Sequence, residues 1–142
     1  MTEIVLPEDS NPRGSIFGGR VLALIDKCAA IAAMRHARTE VVTASVDSVD
    51  FRSTVRVGNV LVLTGRLNAV FRSSMEVEVE VHAEDPLTGD RRLTTRAFVT
   101  MVAMGPDGHP VPAPPLPIAD DDARSRFEAA EARRRARLAR RA

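Results

Sequence analysis

The sequence predicts an α+β fold in which one long central helix is wrapped by a curved antiparallel β-sheet. A long apolar segment near the N-terminus has the composition of a buried helix. At least four segments with strand-like alternation follow it, and turn signals separate them. The chain has 142 residues, of which 44% are hydrophobic, which is enough for one domain with a substantial core.

The central helix is predicted from about Gly18 to about Arg38. The turn signal Asn11-Pro12-Arg13-Gly14 precedes it, and residues 1–10 are expected to form an extended lead-in. No Pro or Gly occurs after Gly19, and several alanines favour a helix. Apolar residues lie on nearly all sides, so we expect burial on more than one face. These residues are Val21, Leu22, Leu24, Ile25, Cys28, Ala29, Ile31, Ala32 and Ala33.

Two strands are predicted directly after this helix. The segment "VVTASVDSVDF" (residues 41–51) alternates through Val46, and then Val49 and Phe51 continue in the opposite phase. Such a one-residue phase slip indicates a β-bulge within one strand. A second strand is predicted in "VGNVLVLTGRLNAV", from Val60 to about Asn68.

The clearest strand pattern is "SMEVEVEVH". The segment "EDPLTGDRR" is then a hairpin connection, and "LTTRAFVTMVAM" is the partner strand. Alternation predicts that apolar and polar side chains lie on opposite faces of the first strand. The apolar set is Met75, Val77, Val79 and Val81, and the polar set is Glu76, Glu78, Glu80 and His82.

The chain divides by composition into a domain at residues 1–117 and an Arg-rich C-terminal extension at residues 118–142. From Arg124 onward there are eight arginines and two glutamates, a charge of +6, whereas the whole chain carries +1. The extension is predicted to be a solvated helix or disordered, with an aspartate as N-cap if it is helical. Contact with nucleic acid or anionic lipid is an alternative. The absence of Trp and Tyr argues against nucleic-acid binding, which we do not expect.

The chain contains no apolar run long enough to span a membrane, so we expect no membrane span. Its single cysteine excludes an internal disulfide and is typical of a reducing compartment. We therefore expect a cytoplasmic protein.

Several familiar sites are absent from the sequence. It contains no P-loop and no G-x-S-x-G elbow, and the glycines of "GSIFGG" do not fit a dinucleotide fingerprint. The three histidines and the cysteine lack metal-ligand spacing, so no metal is expected. Cys28 is a candidate nucleophile, but packing as a small hydrophobe is the favoured interpretation.

Asp26 is the remaining candidate for catalysis. Its neighbours Leu24, Ile25 and Cys28 leave no evident polar stripe around it. A carboxylate withdrawn from water is costly unless it is paired or serves chemistry, and it is well suited to act as a general base. The alternative is an ordinary acid that reaches solvent or pairs with Arg20 or Lys27.

Gly18 and Gly19 supply a second element of a site. The first amides of a helix lie unpaired at the positive end of its dipole, and glycine allows a ligand to approach them closely. Such amides stabilise a developing oxyanion. Asp26 follows by seven to eight residues, close to two turns, so acid and amides share one side of the helix. This arrangement is suited to adding water to an acyl carbonyl.

Five segments in order resemble one known family. They are "LPEDSNPRGSIFGGRVLALID", "VVTASVDSVDF", "VRVGNVL", "RSSMEVEVEV" and "RLTTRAFVTMVAM". Together they resemble the hot-dog acyl-CoA thioesterases of the YciA and brain acyl-CoA hydrolase type. The resemblance covers roughly residues 4 to 113, and the extension lies outside it.

The resemblance implies hydrolysis of acyl-CoA to a free fatty acid and CoA, with no cofactor beyond the CoA of the substrate. It implies that two subunits pair their sheets, that active sites form at the dimer interface, and that three dimers assemble further. Asp26 would be general base or nucleophile, Gly18 and Gly19 would hold the thioester oxygen, and Asn11 would act across the interface. The CoA moiety would contact Arg72, Ser73 and Ser74, and the acyl-pantetheine channel would be lined by Thr43 and Ser45.

A second interpretation is a hot-dog protein that binds acyl-CoA as a sensor without turnover. The presence of both Asn11 and Asp26 disfavours it, because a sensor needs neither. Hydratase chemistry is disfavoured as well, since it usually needs a histidine partner and the first half of the helix has none.

Overall fold

The computed structural model describes residues 1–47 and 49–141. It contains two long helices, five strands and a short 3-10 turn at Pro7–Asp9. The predicted α+β architecture, one long helix with an antiparallel sheet, is confirmed. The elements are β1 Thr2–Ile4, α1 Gly18–Ala37, β2 Glu40–Asp47, β3 Val60–Val70, β4 Ser74–Glu84, β5 Arg91–Met104 and α2 Asp121–Arg141.

The strands form one sheet in the order β1-β3-β4-β5-β2, and every neighbouring pair is antiparallel. The chain crosses from α1 to β2 at one edge of the sheet and then to β3 on the other side of β4 and β5. β2 is therefore an edge strand, and among the described residues β5 is the one strand that it pairs with. The lead-in, expected to be extended, contributes the short strand β1 at the opposite edge.

The core lies between α1 and the inner face of the sheet. The predicted apolar set of β4, namely Met75, Val77, Val79 and Val81, is fully buried. On α1 one side is buried, but Leu22, Ile31 and Met34 are 39–40% exposed. The expectation of burial on more than one face is therefore not met within a single chain. The buried residues of α1 are Val21, Leu24, Ile25, Cys28, Ala29 and Ala33.

The ends of α1 follow from its sequence. The helix begins at Gly18, as predicted, after the turn in which the Gly14 amide donates to the Asn11 carbonyl at 2.9 Å. Gly14 has φ +78°, a conformation that glycine adopts without strain. At the other end Arg38 is left-handed, with φ 56°, and its amide donates to the Met34 carbonyl at 2.8 Å. This bond satisfies one of the last carbonyls of the helix.

The strand after α1 differs from its prediction. A bulge is present, but it lies between Thr43 and Ser45, where the register with β5 shifts. β2 ends at Asp47, and Val49 and Phe51 belong to an irregular segment rather than to the strand. Ser48, within the predicted strand, lies outside the described residues. The phase slip in the sequence thus marked the end of the strand rather than the bulge.

The Arg-rich extension forms α2 and packs on the outer face of the sheet. Arg133 donates to both oxygens of Glu76, at 2.7 and 2.9 Å, and its guanidinium lies 3.7 Å from the centre of the Phe98 ring. Arg137 pairs with Asp47 at 3.2 Å. The helical alternative predicted for the extension is therefore the one observed, but the helix is not fully solvated, because these pairs and the buried Ala130 dock it on the sheet.

Docking of α2 also changes the polar face of β4. Glu76 and Glu78 lie on the face opposite the apolar set, as predicted, yet they are only 2% and 8% exposed. Asn68 donates to both carboxylates, at 3.0 and 3.1 Å, and Arg96 contacts Glu78 at 3.2 Å. A buried charge must be paired in this way, because an uncompensated one is strongly destabilising.

Candidate active site

An open cleft lies beside the first half of α1, at the edge of the sheet formed by β2. Its volume is about 570 Å³. The helix supplies one wall, and β2 with the irregular segment after it supplies the other. The cleft is lined by Gly19, Leu22, Ala23, Asp26, Thr43, Val46, Val49 and Phe51.

Asp26 and Thr43 meet across this cleft. The Thr43 hydroxyl donates to Asp26 Oδ1 at 2.5 Å, a length typical of a charge-assisted hydrogen bond. Both residues are exposed in the protomer. The expectation of a carboxylate withdrawn from water is thus not met in one chain, because Asp26 faces the open cleft. Among the described residues Asp26 forms no ion pair, and Arg20 instead contacts Asp9 at 3.2 Å.

The β-bulge determines which residues of β2 face the helix. Thr43 pairs with the buried Met101, and Val46 pairs with the buried Val99, so both belong to the inner face. Ser45 pairs with Thr100, whose other neighbour in the sheet is Glu76 on the face covered by α2. Without a bulge Thr43 and Ser45 would share a face, as the sequence-based assignment assumed. In this chain Ser45 therefore lies on the outer face and does not line the cleft, whereas Thr43 does.

Gly19 lines the cleft, and the backbone there is open. A Cβ placed on Gly19 would meet no atom within 4 Å. The amides of Arg20 and Val21 donate to the Phe17 carbonyl, at 3.0 and 3.3 Å. In the part of the chain that the structure describes, no hydrogen bond engages the Gly19 amide. A ligand oxygen can therefore approach it on the side where Asp26 lies.

Gly18 lies in a different environment. A Cβ on Gly18 would stand 3.4 Å from Cζ of Phe51, so this ring covers the start of the helix. Gly18 lines a second cavity, of about 360 Å³, rather than the Asp26 cleft. Phe51 contributes to both spaces. Phe51 was not predicted as a site residue, because the alternation placed it in a strand.

Asn11 does not reach Asp26 within one chain. Its Oδ1 accepts from the Arg13 amide at 2.9 Å and from the Ser15 amide at 3.3 Å, and its Nδ2 donates to Ser15 Oγ at 3.0 Å. These bonds fix the orientation of the side-chain amide. An NH₂ group has two hydrogens, so one donor remains for a group outside this turn.

The predicted CoA-contacting residues form the β3–β4 turn. The Phe71 amide donates to the Ser74 carbonyl at 2.9 Å, and the Arg72 side chain is exposed. Ser74 pairs with Val102, which in turn pairs with Val42, the neighbour of Thr43. Two strand spacings, about 10 Å, therefore separate the β4 end of this turn from β2. The turn is thus level with the Thr43 end of the cleft, although it does not line the cleft.

The other candidates for reactive groups are structural. Cys28 is buried against Gly65, and burial raises the pKa of its thiol, an effect that the Met1 ammonium partly offsets. A thiol kept protonated in this way is a poor nucleophile. His36 contacts the Pro114 carbonyl at 2.7 Å near the end of α1. Within residues 1–47 and 49–141, no three His, Cys, Asp or Glu side chains are grouped as metal ligands. None of the described helices is both long and apolar enough to cross a membrane.

Comparison with known protein families identifies the class of protein to which this fold and cleft belong. The thioesterase superfamily profile matches residues 13–89, more than half of the chain, and the chain belongs to this family. The predicted hot-dog fold is thereby confirmed. An uncharacterized acyl-CoA thioester hydrolase of Bacillus subtilis, YkhA, is 43% identical over 113 residues, which are 80% of this chain and 66% of that protein. The rat cytosolic acyl coenzyme A thioester hydrolase is 37% identical over 136 residues, and the chain spans 35% of its length.

Solved structures of acyl-CoA thioesterases share the fold over nearly the whole chain. A hexameric acyl-CoA thioesterase, in its apo form, is 48% identical with a TM-score of 0.93, over 100% of this chain and 91% of that one. The acyl-CoA hydrolase of Staphylococcus aureus, in complex with butyryl coenzyme A, coenzyme A and coenzyme A disulfide, is 36% identical with a TM-score of 0.90, over 99% and 86%. Further structures of the Staphylococcus protein carry alanine in place of an aspartate, an asparagine or a threonine.

Proposed function

We propose that this protein hydrolyses acyl-CoA thioesters to a free fatty acid and CoA, with Asp26 as the catalytic carboxylate, acting as general base or nucleophile. The observation that carries the proposal is the position of Asp26, bonded to Thr43 in an open cleft that also contains the unobstructed Gly19 backbone. A carboxylate and free helix amides beside one space are the two groups that attack on an acyl carbonyl requires.

The spacing of three residues supports this assignment. In the Staphylococcus aureus protein, the substituted asparagine, aspartate and threonine are separated by 15 and 17 positions. The same separations relate Asn11 to Asp26 and Asp26 to Thr43 in this chain. Thr43 is therefore proposed to act on Asp26 rather than only to line a channel.

The proposed chemistry consumes one water per thioester. As general base, Asp26 takes a proton from water while the water oxygen attacks the carbonyl carbon. As nucleophile, it attacks that carbon itself, and water then cleaves the resulting anhydride. In both routes the carbonyl oxygen becomes negative beside the Gly19 amide, the bond to sulfur breaks, and CoA leaves as a thiolate that gains a proton. An ionised Asp26 is required in either case.

The proposed active unit is a dimer, and the proposed assembly is a trimer of such dimers, because a relative of known structure is hexameric. β2 is a sheet edge with unpaired backbone groups and exposed Val42 and Val46, at 48% and 42%. Pairing of two β2 edges would satisfy these groups and cover the apolar side chains. The Asp26 cleft would then lie at the interface. The remaining amide hydrogen of Asn11 of the partner subunit would be available to position the water or the thioester.

The CoA moiety is proposed to extend from the cleft toward the β3–β4 turn. Arg72 would pair with a phosphate, and Ser73 and Ser74 would donate to the phosphate or the pantetheine arm. No metal or separate cofactor takes part in the proposal. A cytoplasmic location is also proposed, in line with the rat relative, which is named as cytosolic.

The proposal is tested by measuring thiol release from a panel of acyl-CoAs, from acetyl-CoA to palmitoyl-CoA, with the purified full chain. Release above the background rate from at least part of the panel is expected. Saturable binding of acyl-CoA with no release of thiol would contradict the proposal and support the sensing alternative.

A further inference from the structure

Two cavities meet at the side chain of Phe51. One is the Asp26 cleft, and the other is the space of about 360 Å³ beside Gly18, called here the inner cavity. Phe51 lines both, and its ring stands over Gly18 at the start of α1. The ring therefore separates the two spaces at the point where the helix amides begin.

The inner cavity has the size of a ligand site, and its buried part is lined by two valines and two threonines. Its volume falls at the lower end of the range for ligand pockets, about 300–1,000 Å³. Its buried residues are Val21 and Val55, 3% and 5% exposed, together with Thr94 and Thr95. The Thr94 hydroxyl already donates to the Val81 carbonyl at 3.0 Å and needs no ligand. The mechanism proposed above uses none of these residues.

The outer end of the inner cavity is polar. Arg52 and Thr54 line it and are exposed. An acyl chain that reached this end would place apolar surface against a charged guanidinium and gain no further burial. The cavity thus offers a limited apolar length rather than an open channel.

The backbone that follows Phe51 is held in place. The Arg52 amide donates to the Thr94 carbonyl at 2.8 Å, and Arg92 Nε donates to Ser53 Oγ at 3.3 Å. The ring itself is 51% exposed and is not locked into the core. Truncation of the ring is therefore expected to leave a gap between the two cavities, because the anchored backbone cannot collapse to fill it.

We propose that Phe51 limits the length of the acyl chain that the enzyme accepts, because its ring closes the passage from the Asp26 cleft to the inner cavity. This inference rests on the proposed thioesterase function. Chains that fit in the cleft are hydrolysed efficiently, and longer chains meet the ring. A smaller residue at position 51 joins the two spaces and admits further methylenes.

The test is the dependence of kcat/KM on chain length for wild type, Phe51→Ala and Phe51→Leu. For wild type we expect kcat/KM to fall beyond a limiting length. Phe51→Ala should move this limit to longer chains, with a gain of about fourfold for each additional methylene buried. Phe51→Leu should give an intermediate shift, and it decides the question if Phe51→Ala does not fold. An unchanged limit in a folded Phe51 variant would overturn the inference.

Phe17→Ala is the matched control, because Phe17 is 54% exposed and lines neither cavity. The same shift in Phe17→Ala would overturn the inference, since it would show a general loosening of the site. Binding of non-hydrolysable acyl-CoA thioethers, measured by calorimetry, separates this inference from the proposed function. If wild type releases no thiol, the proposed function fails, yet Phe51→Ala must still gain affinity for the long thioethers. No gain in affinity would overturn the role of Phe51 independently.

Discussion

The hydroxyl of Thr43 on the edge strand β2 donates a hydrogen bond of 2.5 Å to the Asp26 carboxylate on the central helix α1. The bond joins the two elements that form the walls of the cleft. It engages one carboxylate oxygen, and the other remains for water or substrate. The proposed reaction therefore depends on the position of β2 as well as on the acid itself.

Replacement of Thr43 by valine should lower kcat/KM for acyl-CoA by about 10- to 100-fold, because a hydrogen bond to a charged group contributes about 1.5–3 kcal/mol. Valine keeps the shape of the side chain and its preference for a strand. Steady-state kinetics with the best substrate of the panel measures the loss.

Ser45→Ala is the control for this substitution. Ser45 lies two residues further along the same strand but on the face covered by α2, and its hydroxyl has no partner among the described residues. Its removal should leave kcat/KM within about twofold, since changes away from such a site are usually small. An equal loss of kcat/KM in the two variants would show that Thr43 supports the structure of the strand rather than the Asp26 carboxylate.

Shared active sites predict complementation between inactive subunits. Asn11→Ala and Asp26→Ala are each expected to be inactive as homo-oligomers. A mixed dimer would hold one site with both residues and one with neither. Random mixing in equal amounts should restore about one quarter of the wild-type activity, because half of the dimers are mixed and each has one intact site of two. The restored activity is measured as thiol release after the differently tagged subunits have been refolded together.

Purification of the mixed species through both tags provides the control for subunit exchange. No recovery in confirmed mixed dimers would place Asn11 and Asp26 in the site of a single subunit. That result would contradict the proposed interface, although it would leave the hydrolysis itself intact.

Arg72 should contribute to the binding of CoA and not to the chemical step. Arg72→Ala is expected to raise KM several-fold with little change in kcat, and the effect should weaken at high salt because the contact is exposed and charged. Arg135→Ala, an exposed arginine on α2, is the matched control and should leave KM unchanged. A fall in kcat without a change in KM would contradict the assignment of Arg72 to CoA binding.

The pair between Asp47 and Arg137 should stabilise the docking of α2. Both side chains are largely buried, at 13% and 9% exposure. Asp47→Asn leaves the buried guanidinium without its carboxylate and should lower the free energy of unfolding by about 3–5 kcal/mol. The double variant, Asp47→Asn with Arg137→Met, should lower it by less, because it removes the buried charge as well. Urea unfolding of the single and double variants measures both free energies. A double variant less stable than Asp47→Asn would contradict the account of this pair.

The helix and the strands could be predicted from the sequence because their signals are local. The alternation of β4 and the boundaries of α1 followed from residue spacing, and the structure confirms both. Asp26, Gly19 and Thr43 were each identified, and they line one cleft. The position of Asp26 on the same side as the first amides followed from helix geometry.

The features that the sequence did not predict depend on contacts between distant parts of the chain. The face of Ser45 could not be predicted, because the position of a bulge depends on the pairing of β2 with β5. The docking of the extension was not predicted, because its thin apolar stripe does not indicate that Arg133 and Arg137 pair with acidic residues of the sheet. Phe51 was missed for a similar reason, since its place over Gly18 depends on a loop anchored to β5.

The central claim is that Asp26 performs the chemical step rather than holding the substrate. The most direct test compares Asp26→Asn with wild type in single-turnover thiol release and in binding of the same acyl-CoA. Asparagine keeps the size of the side chain and can still bond to Thr43, but it is neither a base nor a carboxylate nucleophile. We predict that Asp26→Asn binds acyl-CoA within a few-fold of the wild-type affinity and releases thiol at least about 100-fold more slowly. A rate of release equal to that of wild type would contradict the account.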